Sequence, residues 1–586
     1  AEKQWVYQNG TIELPPSITF MLQMRDNSNS EWVDVPGKKI TLTADDSWMG
    51  EFKNLPEGKQ YRMKEVDVPT GWIPEESSNE TNQNNATLSI TNTADLSSLK
   101  LNKAWDEDGS GSVDSVKVEL YRKEQSLWPE NQSAEDVMED YARLLQYSLY
   151  FYDGVMCGDQ VDETSNYTWR SDCHTEDEVK GGFHDAGDHV MFGLPAGFSA
   201  STLGWSLKEY RAEFDSLGQT PHIKMIIDHY AEFFNNAVRY NADGTVKEIL
   251  VQKGHGNTDH AYWGMPEGQP SREDQMYWKS DTGSDVAAEY AAALALAYIN
   301  FHDTDETKYR GYLETAKKLY EYSRRVDKAL NEENINIDET DKNQYPGYYK
   351  SNQYADDQAW AASWIAVADS EAEYNGTSYK VEAQSRLTSD DINGWDWGGY
   401  HWNNVRHGAE FVLAAYLGES WDNVKNFVNS KGSDWKGDRY KYPDEWGASR
   451  YNSGFQTVAL AAVHQAETKS NVDISRAEIA DWCKSQMNYI LGDNKYNMCF
   501  VTAFSDHSPL KVHFRAGSGA VYNMQTKDDP NIIDKAYTND VNRLIGGMVG
   551  GSAGDSDNYE DRRTFYQRNE VASDYNAVLV GAAAGL

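Results

Sequence analysis

The sequence contains the stretch Gly181-Gly182-Phe183-His184-Asp185-Ala186-Gly187-Asp188-His189, in which two aspartates stand three residues apart in a glycine-rich turn. Because glycine reaches positive φ and lets other groups approach closely, such a turn can aim both carboxylates at one small volume. A water molecule held between two carboxylates is a nucleophile when one of them acts as a general base. The plain alternative is an Asp-Gly turn on a solvated loop.

A second carboxylate-centred stretch lies near the C-terminal end of the sequence. It reads Arg568-Asn569-Glu570-Val571-Ala572-Ser573-Asp574-Tyr575-Asn576-Ala577. Together the two stretches resemble the signatures of the family 9 glycoside hydrolases, the inverting cellulases, which read G-G-x-x-D-A-G-D-H and N-E-x-x-x-D-Y-N-A. The resemblance extends from about Ser133 to Leu586.

This resemblance implies separate roles for three carboxylates. Glu570 is expected to be the general acid, with a raised pKa that keeps it protonated. Asp188 is the expected general base and Asp185 helps to hold the same water; the resemblance ranks the two aspartates, since their spacing does not. Inversion needs acid and base carboxyl groups roughly 6.5–9.5 Å apart. The alternative for Glu570 is a helix N-terminal carboxylate favoured by the helix dipole.

Other segments resemble the parts of that family that line the glucan cleft. His513-Phe514-Arg515 matches an H-x-R signature, and both polar side chains can donate hydrogen bonds to sugar hydroxyls. Asp259–Gly264 and Trp446–Tyr451 resemble segments whose Trp and His residues contact the glucan. The predicted substrate-binding residues are His513, Arg515, His260, Trp263, Trp446 and Tyr575. Aromatic packing in the core is the competing interpretation.

Two cysteines and two histidines near the turn form a candidate metal site, made of Cys157, Cys173, His174 and His184. Two thiolates with two imidazoles suit tetrahedral zinc, and some family 9 members carry a structural zinc with this pattern. The metal would pin the catalytic turn through His184 and would have no open position for chemistry. His189 is the alternative fourth ligand, and a Cys157–Cys173 disulfide is the rival interpretation for a secreted protein.

The resemblance also implies a calcium site. The segment Asn352-Gln353-Tyr354-Ala355-Asp356-Asp357, with Trp402-Asn403-Asn404 later, resembles the calcium site of many family members. Asp356 and Asp357 are the expected ligands. Asparagines stand here where the family often has aspartates, and amide oxygens are weaker calcium ligands than carboxylates. The alternative is a solvated helix N-terminus; no organic cofactor is expected.

From about residue 133 onward, apolar residues recur with helical periodicity. We expect helices near 197–215, 221–240, 285–302, 306–326, 356–374, 402–418, 452–467, 476–491 and 572–584. No β–α–β alternation is present, which favours an all-α domain around one core. The resemblance sharpens this expectation to an (α/α)6 toroid, with loops at one end forming the cleft.

Residues 1–97 instead have the character of short β-strands between turns. Stretches such as 17–22 and 39–42 fit a sandwich of immunoglobulin-like size. Lys3-Gln4-Trp5, Lys64-Glu65 and Ile90-Thr91-Asn92-Thr93 resemble marks of the Cna-B type domains of Gram-positive surface proteins.

In the Cna-B family, a lysine of the first strand and an asparagine of the last form an isopeptide bond beside a glutamate. The resemblance assigns these roles to Lys3, Asn92 and Glu65, and a desolvated lysine amine beside a protonated carboxyl would favour the reaction. The competing interpretation is that Lys3 and Asn92 are ordinary surface residues.

Residues 98–130 begin like a repeat of that domain, with Lys103-Ala104-Trp105 and a strand-like stretch to Tyr121. They lack the later glutamate and Thr-Asn-Thr marks. We therefore expect an incomplete second β module or a linker at 98–130, and the catalytic domain at 131–586.

Composition narrows the possible partners. The 586 residues carry a formal net charge of −39, from 93 acidic and 54 basic side chains, so phosphates of nucleic acids and anionic lipids would be repelled. No apolar run is long enough to cross a bilayer. The 19 Trp and 37 Tyr residues mostly serve the core, but an excess suits stacking against sugar rings. No signal peptide opens the sequence, which fits a mature secreted, a trimmed or a cytosolic form.

The sequence therefore predicts a secreted or cell-surface inverting endo-β-1,4-glucanase that degrades cellulose and related β-glucans. Association with a cell wall or a cellulolytic assembly is a further expectation. The alternatives are an exo-acting cellobiohydrolase, a xyloglucan or mixed-linkage glucanase, and a non-catalytic surface glycan-binding protein. Intact Asp185, Asp188 and Glu570 argue against the last, since binding alone does not need all three.

Overall fold

A computed structural model describes the chain in two compact units, Ala1–Glu130 and Asn131–Leu586. In the first unit the structure describes residues 3–5, 18–25, 32–42, 60–65, 72–75, 91–94, 99–104 and 117–122. In the second unit it describes residues 139–273, 275–331, 348–351, 353–388, 399–518, 521–523 and 542–586.

The described residues of the first unit are mostly β-strand. The strands are β1 Lys3–Trp5, β2 Ile18–Arg25, β3 Val33–Leu42, β4 Gln60–Glu65, β5 Trp72–Glu75, β6 Thr91–Ala94, β7 Leu99–Ala104 and β8 Lys117–Arg122. They form three sheets with the strand orders β3-β2-β4, β5-β6 and β1-β8-β7. The central β2 pairs antiparallel with both of its neighbours, and its Leu22 is buried.

The segment 98–130 contributes β7 and β8 to this unit. Because β8 pairs in parallel with β1, the segment shares a sheet with the first strand of the chain. The three residues of the predicted crosslink lie on strands of different sheets: Lys3 on β1, Glu65 on β4 and Asn92 on β6.

The second unit is helical. Its helices are α1 Tyr141–Val155, α2 Val161–Thr164, α3 Gly193–Glu209, α4 Arg211–Ser216, α5 Thr220–Asn236, α6 Gly256–Ala261, α7 Ser284–Phe301, α8 Glu306–Val326, α9 Ala355–Ala368, α10 Tyr379–Leu387, α11 Arg406–Ala415, α12 Asp422–Ser430, α13 Ala448–Thr468, α14 Arg476–Leu491, α15 Tyr566–Asn569 and α16 Ser573–Gly585.

Within the described residues, six of these helices close an inner ring. The order around the ring is α3, α7, α9, α11, α13 and α16, and α16 packs back on α3. Helices α3, α7, α9 and α16 are buried almost all round, because alanine, glycine and serine let helices pack on every side. A helix that is apolar on all faces belongs in a core of this kind.

Six further helices form the outer layer, each packed against an inner one. They are α1 on α16, α5 on α3, α8 on α7, α10 on α9, α12 on α11 and α14 on α13. Helix α8 shows the outer pattern: Tyr309, Leu313 and Leu319 face inward, and the Asp305 side chain caps the first turn by accepting from Lys308 N. The double ring confirms the predicted (α/α)6 fold.

In the part of the second unit that the structure describes, the connecting segments contain two 3₁₀ helices, Pro266–Gly268 and Ala516–Ser518, and several short strands. The strands are β9 Met191–Phe192, β10 Val238–Tyr240, β11 Val246–Lys253, β12 Tyr262–Gly264, β13 Met276–Lys279, β14 Glu373–Tyr374, β15 Thr377–Ser378 and β16 Val521–Asn523. Strand β9 follows the glycine-rich turn directly and pairs with β11, which fixes the exit of the turn. None of the helices in the described residues combines the length and apolar character that a bilayer crossing requires.

Candidate active site

The glycine-rich turn lies between α2 and β9 and is held by backbone hydrogen bonds at both ends. His184 N donates to Val155 O at 2.8 Å, and Asp185 N donates to Val190 O at 2.8 Å. Ser573 N, at the start of α16, donates to Asp185 O at 2.7 Å. The turn is therefore anchored to the first and last helices of the second unit.

Gly187 is the point where the three sequence motifs meet. A Cβ at this position would stand 2.2 Å from His513 O, so only glycine fits. Gly187 O accepts from Arg515 N at 3.0 Å, and Gly187 N donates to Glu570 Oε1 at 3.2 Å. His513 N in turn donates to Asn569 O at 2.9 Å. The close backbone approach thus brings Glu570 beside the aspartate turn.

A cavity of about 660 Å³ opens at this junction. Its lining combines carboxylates, cations and aromatic rings, and includes Asp185, Asp188, His260, Tyr348, Tyr349, Trp402, Asp444, Trp446, Arg450, Tyr451, His513, Arg515, Thr564, Tyr566, Glu570 and Tyr575. The predicted catalytic carboxylates from opposite ends of the chain therefore share one cleft.

In the part of the chain that the structure describes, each of the two aspartates has one oxygen in a hydrogen bond and one oxygen without a partner. Asp185 Oδ2 accepts from the Tyr349 hydroxyl at 2.6 Å, and Asp188 Oδ2 accepts from His260 Nε2. Both Oδ1 atoms are buried and have no hydrogen-bond partner among the described residues. Since buried polar atoms are nearly always paired, two such acceptors in a cavity suit a bound water molecule.

Glu570 lies in an environment that keeps it protonated. Burial, together with the charge of Asp188, raises its pKa to about 8. Burial raises the pKa of Asp185 as well, followed by the charge of Asp188. A protonated Glu570 can donate a proton into the cavity, and a carboxylate of the aspartate turn can accept one.

His513 is neutral and points its lone pair toward Glu570. Burial and the charge of Arg515 lower its pKa to about 3. Its Nδ1 donates to Arg563 O at 2.7 Å, because a carbonyl can only accept, and this leaves Nε2 as the acceptor 3.9 Å from Glu570 Oε1. The predicted substrate-binding residue therefore also borders Glu570, the predicted general acid.

Trp263 differs from its predicted place in the cleft. It is 2% exposed and lies behind the cavity wall, where its ring packs against His513 at 5.3 Å and under Arg515 at 4.9 Å. Arg515 lines the cavity and donates to Tyr262 O at 3.1 Å. An indole can pack in the core or line the cleft, and the indole of Trp263 packs in the core.

The other predicted substrate-binding residues line the cavity. Trp446 is 44% exposed and its ring lies 5.4 Å from that of Tyr566, which forms an aromatic wall open to the cleft. Tyr575 is buried beneath the guanidinium of Arg450, at 4.9 Å. His260 contacts Asp188, as described above.

Sequence reasoning missed Tyr349, Arg450 and Tyr566. Arg450 lies inside the stretch Trp446–Tyr451 and forms an ion pair with Asp574 at 3.0 Å. Because these opposite charges stand in two of the motifs, the sequence could have predicted that they pair. Tyr349 had no such signal, because nothing in the sequence around it points to Asp185.

The predicted zinc ligands converge. One ligand atom from each of Cys157, Cys173, His174 and His184 lies within 4.8 Å of the others. Cys157 Sγ is 3.5 Å from His174 Nδ1, which is 3.3 Å from His184 Nε2. Metal–ligand bonds of about 2.0–2.3 Å predict tetrahedral edges of roughly 3.3–3.8 Å, so the donor set fits zinc.

The surroundings of these ligands also suit a metal. The Cys173 thiol donates to Cys157 and lowers the pKa of that thiol well below its ordinary value. His174 Nε2 donates to Gln269 Oε1 at 2.7 Å, so Nδ1 carries the lone pair. Both cysteines are free rather than joined in a disulfide. The alternative ligand His189 turns its Nε2 to Gly264 O at 2.8 Å.

The predicted calcium ligands are buried in the first turn of α9. Asp356 Oδ2 accepts from Val405 N at 3.0 Å, whereas Oδ1 of Asp356, Asp357 and Asn403 has no partner among the described residues. Burial raises the pKa of Asp356 to about 6 and that of Asp357 well above its ordinary value. The oxygens fit calcium chemically, and they are not solvated as the alternative interpretation required.

Comparison with known proteins finds a matching family model for each of the two units. The family model of glycosyl hydrolase family 9 matches residues 141–583, and that of the Cna protein B-type domain matches residues 1–93. Endoglucanase A of Bacillus pumilus is 29% identical over 467 residues, which cover 75% of this chain and 65% of that protein. Endoglucanase B of Cellulomonas fimi is 30% identical and covers 76% of this chain and 42% of that protein. This chain thus spans less than two thirds of the length of both relatives.

Solved structures agree with the sequence relatives. The catalytic domain of Clostridium thermocellum CelT superposes with a TM-score of 0.65 at 32% identity, and covers 76% of this chain and 96% of that chain. The cellulase Cel9M of C. cellulolyticum in complex with cellobiose gives a TM-score of 0.64 at 30% identity, with 76% and 98% covered. The chain therefore belongs to glycosyl hydrolase family 9.

Proposed function

We propose that the helical unit hydrolyses internal β-1,4-glucosidic bonds of cellulose and related β-glucans with inversion at the anomeric carbon. One observation carries this proposal: a protonated Glu570 adjoins a turn whose two aspartates each keep one buried oxygen that no described residue contacts by a hydrogen bond. The structural relatives include a cellulase in complex with cellobiose and an endoglucanase in complex with cellotriose, which supports a glucan substrate.

In the proposed reaction, Glu570 donates its proton to the glycosidic oxygen while the bond from that oxygen to the anomeric carbon breaks. The water held by Asp185 and Asp188 attacks the anomeric carbon from the opposite face. Asp188 takes the proton that this water loses. Trp446 and Tyr566 offer flat apolar faces on which pyranose rings can stack.

The test is reducing-end release from carboxymethylcellulose by the parent and by Asp188→Asn, with Tyr322→Phe as a control. Tyr322 donates to two backbone carbonyls of the scaffold and does not line the cavity. We expect the parent and the control to release sugar and Asp188→Asn to be nearly inactive. Proton NMR of the first product should show the α-anomer; a β-anomer or an inactive parent would refute the proposal.

Product distribution separates the internal-cleavage mode from its alternatives. An endo enzyme lowers the viscosity of a glucan solution before many reducing ends appear, whereas a cellobiohydrolase releases cellobiose with little change in viscosity. Rates on xyloglucan and mixed-linkage glucan would identify those alternatives. A glycan-binding protein without activity would retain the polymer and release no sugar.

We propose that Cys157, Cys173, His174 and His184 hold a structural zinc ion that fixes the entrance of the catalytic turn. Elemental analysis should find one zinc per chain in the parent and none in Cys157→Ser. Cys483→Ser is the matched control, since Cys483 is also a buried free thiol but has no part in the cluster. Purified protein without zinc, with both thiols titratable, would contradict the proposal.

We also propose that Asp356 and Asp357 bind calcium together with Asn403. Binding to the folded state alone raises the midpoint of thermal unfolding with ligand concentration. Calcium should therefore raise the Tm of the parent but not that of Asp356→Asn, and magnesium should act more weakly. Equal Tm values with calcium and with a chelator would exclude the site.

For the first unit we propose a secreted or cell-surface location, attachment to a cell wall or a cellulolytic assembly, and an isopeptide bond from Lys3 to Asn92. The Lys3 amine would attack the Asn92 amide carbon and release ammonia, while Glu65 transfers protons. The match to the Cna protein B-type domain supports this proposal. Intact mass should fall short of the sequence mass by one ammonia, and Lys3→Arg should restore the missing mass; a full mass in the parent would contradict the bond.

A further inference from the structure

A pair of aromatic side chains lies beyond the residues that line the cavity. Tyr277 belongs to β13, which leads toward the inner helix α7, and His255 directly precedes α6. The planes of the two rings differ by only 23°, and their centroids are 6.2 Å apart. The flat faces of both rings therefore point in nearly one direction, and we call this pair the Tyr277–His255 platform.

The platform continues the wall of the cavity across the sheet. Phe192 lines the cavity, and its ring lies 5.9 Å from that of Tyr348. Gln252 pairs with Phe192 on one side and with Tyr277 on the other. Because directly opposed residues of antiparallel strands share a face of the sheet, Phe192 and Tyr277 lie on one face, roughly 10 Å apart across two strand spacings.

Helix α6 provides a second route from the cavity to the platform. It holds His260, which lines the cavity, near its last residue, and it begins directly after His255. At 1.5 Å per residue, the rise of the helix from His255 to His260 is roughly 8 Å. Two separate elements thus place the platform a short distance outside the cavity.

The rings of the platform are held relative to each other by a hydrogen-bonded corner. His255 N donates to Gln275 Oε1 at 2.9 Å, and Gly254 N donates to Gln275 O at 3.0 Å. The imidazole of His255 is oriented by Thr258, whose Oγ1 lies 3.1 Å from Nδ1. Both rings are partly exposed. Rings that are already fixed can bind a ligand without the cost of ordering loose side chains.

We propose that the Tyr277–His255 platform is a binding site for the part of a long glucan chain that extends beyond the cavity. The inference rests on the proposed hydrolase function and adds a contact outside the cleft. Flat ring faces suit the apolar C–H faces of pyranoses. The formal net charge of −39 repels anionic polymers, so the occupant is a neutral β-glucan, the polymer that also enters the cavity.

The first test compares a short with a long neutral substrate, as kcat and KM of Tyr277→Ala on cellotetraose and on hydroxyethylcellulose. We expect KM on the polymer to rise roughly three- to tenfold, as for the loss of one aromatic contact. The kcat on the polymer and both constants on cellotetraose should stay close to those of the parent, because the reacting bond lies in the cavity. His255→Ala should give the same pattern, and it supplies the test if Tyr277→Ala does not fold.

Two further variants control for the chemistry and the place of the contact. Tyr277→Phe keeps the ring and should bind the polymer as the parent does. Tyr240→Ala removes a tyrosine of the same sheet that is 40% exposed. Tyr240 pairs with Val246, which lies six residues along β11 from Gln252, or roughly 20 Å away. Tyr240→Ala should therefore leave the kinetics on both substrates unchanged.

Binding without turnover separates this inference from the proposed function. In native gels that contain hydroxyethylcellulose, Asp188→Asn should be retarded, and Asp188→Asn/Tyr277→Ala should be retarded less. Equal retardation of these two proteins would overturn the inference. So would a KM that rises equally on cellotetraose and on the polymer, or a Tyr277→Phe variant as weak as Tyr277→Ala. An inactive parent whose retardation still depends on Tyr277 would instead overturn the proposed hydrolysis and leave the binding site standing.

Discussion

Asp177 and Asp185 are both buried aspartates of the segment between α2 and β9, yet their surroundings are opposite. Asp177 contacts Lys253 Nζ at 3.0 Å and the Arg272 guanidinium at 3.2 Å, with all three side chains at most 2% exposed. Asp185 accepts from the Tyr349 hydroxyl with one oxygen, whereas its other oxygen has no hydrogen-bond partner in the described part of the chain.

The difference shows which carboxylate serves the fold and which serves chemistry. A buried charge that is paired on every side compensates the charges of its neighbours, and removing it would leave those charges buried without a partner. A buried carboxylate with an open oxygen beside a second carboxylate is unfavourable for folding, and that cost is expected at functional sites. Asp177 is therefore interpreted as a structural residue and Asp185 as a functional one.

The largest expected effect is the loss of catalysis in Asp185→Asn. The amide can still accept from Tyr349, but the substitution removes one of the two carboxyl groups that hold the water. We expect kcat to fall by roughly 10²–10⁴, the range for acid–base groups, while the free energy of unfolding stays equal or rises. Steady-state kinetics with denaturant unfolding measures both; a variant that is active but less stable would reverse the comparison.

The converse change is Asp177→Asn. It leaves Lys253 and Arg272 buried with a neutral partner, so the free energy of unfolding should fall by about 3–5 kcal/mol. The kcat of the folded fraction should fall far less than in Asp185→Asn. Urea unfolding of the two variants side by side gives the answer, and an unfolding free energy equal to that of the parent would show that Asp177 is not structural.

A smaller effect concerns the carboxyl groups of α7 and α9. Burial raises the pKa of Asp285 to about 7, of Glu289 to about 8 and of Asp356 to about 6. The pKa values of these groups are higher in the folded state than in the unfolded state, so protonation stabilises the fold. This stabilisation is complete below about pH 4 and is lost as the pH rises through 6–8.

In the presence of a chelator, the Tm should therefore rise as the pH is lowered from 8 toward 5. The expected rise is roughly 2–4 °C for each kcal/mol by which the free energy of unfolding increases. Glu289→Gln should flatten the dependence. A Tm that falls over this range would mean that these groups are ionised and otherwise compensated.

The sequence was most informative where the predicted catalytic residues lie in short contiguous motifs. Asp185, Asp188 and Glu570 were predicted because each belongs to a short pattern, and the structure places all three on one cavity. The (α/α)6 ring was predicted from helical periodicity combined with the family resemblance, since periodicity alone gives helices but not their closure.

What escaped prediction depends on contacts between distant parts of the chain. Tyr349 reaches Asp185 only after the ring has closed, and no local pattern marks it. Trp263 was expected to line the cleft but packs in the core, because the sequence around an aromatic residue does not show which of the two its ring faces. Gly187 was predicted as a turn residue, but the His513 backbone that excludes a side chain there became visible only in the fold.

The central claim is that Glu570 is the proton donor, and leaving-group dependence tests it most directly. In Glu570→Gln, hydrolysis of carboxymethylcellulose should fall by roughly 10²–10⁴, whereas dinitrophenyl β-cellobioside, whose phenolate leaves unprotonated, should lose less than about tenfold. The parent kcat/KM on the glucan should fall as pH rises through about 8, the pKa of Glu570, and this limb should be absent in the variant. Equal losses on both substrates, or a basic limb that survives the substitution, would contradict the claim.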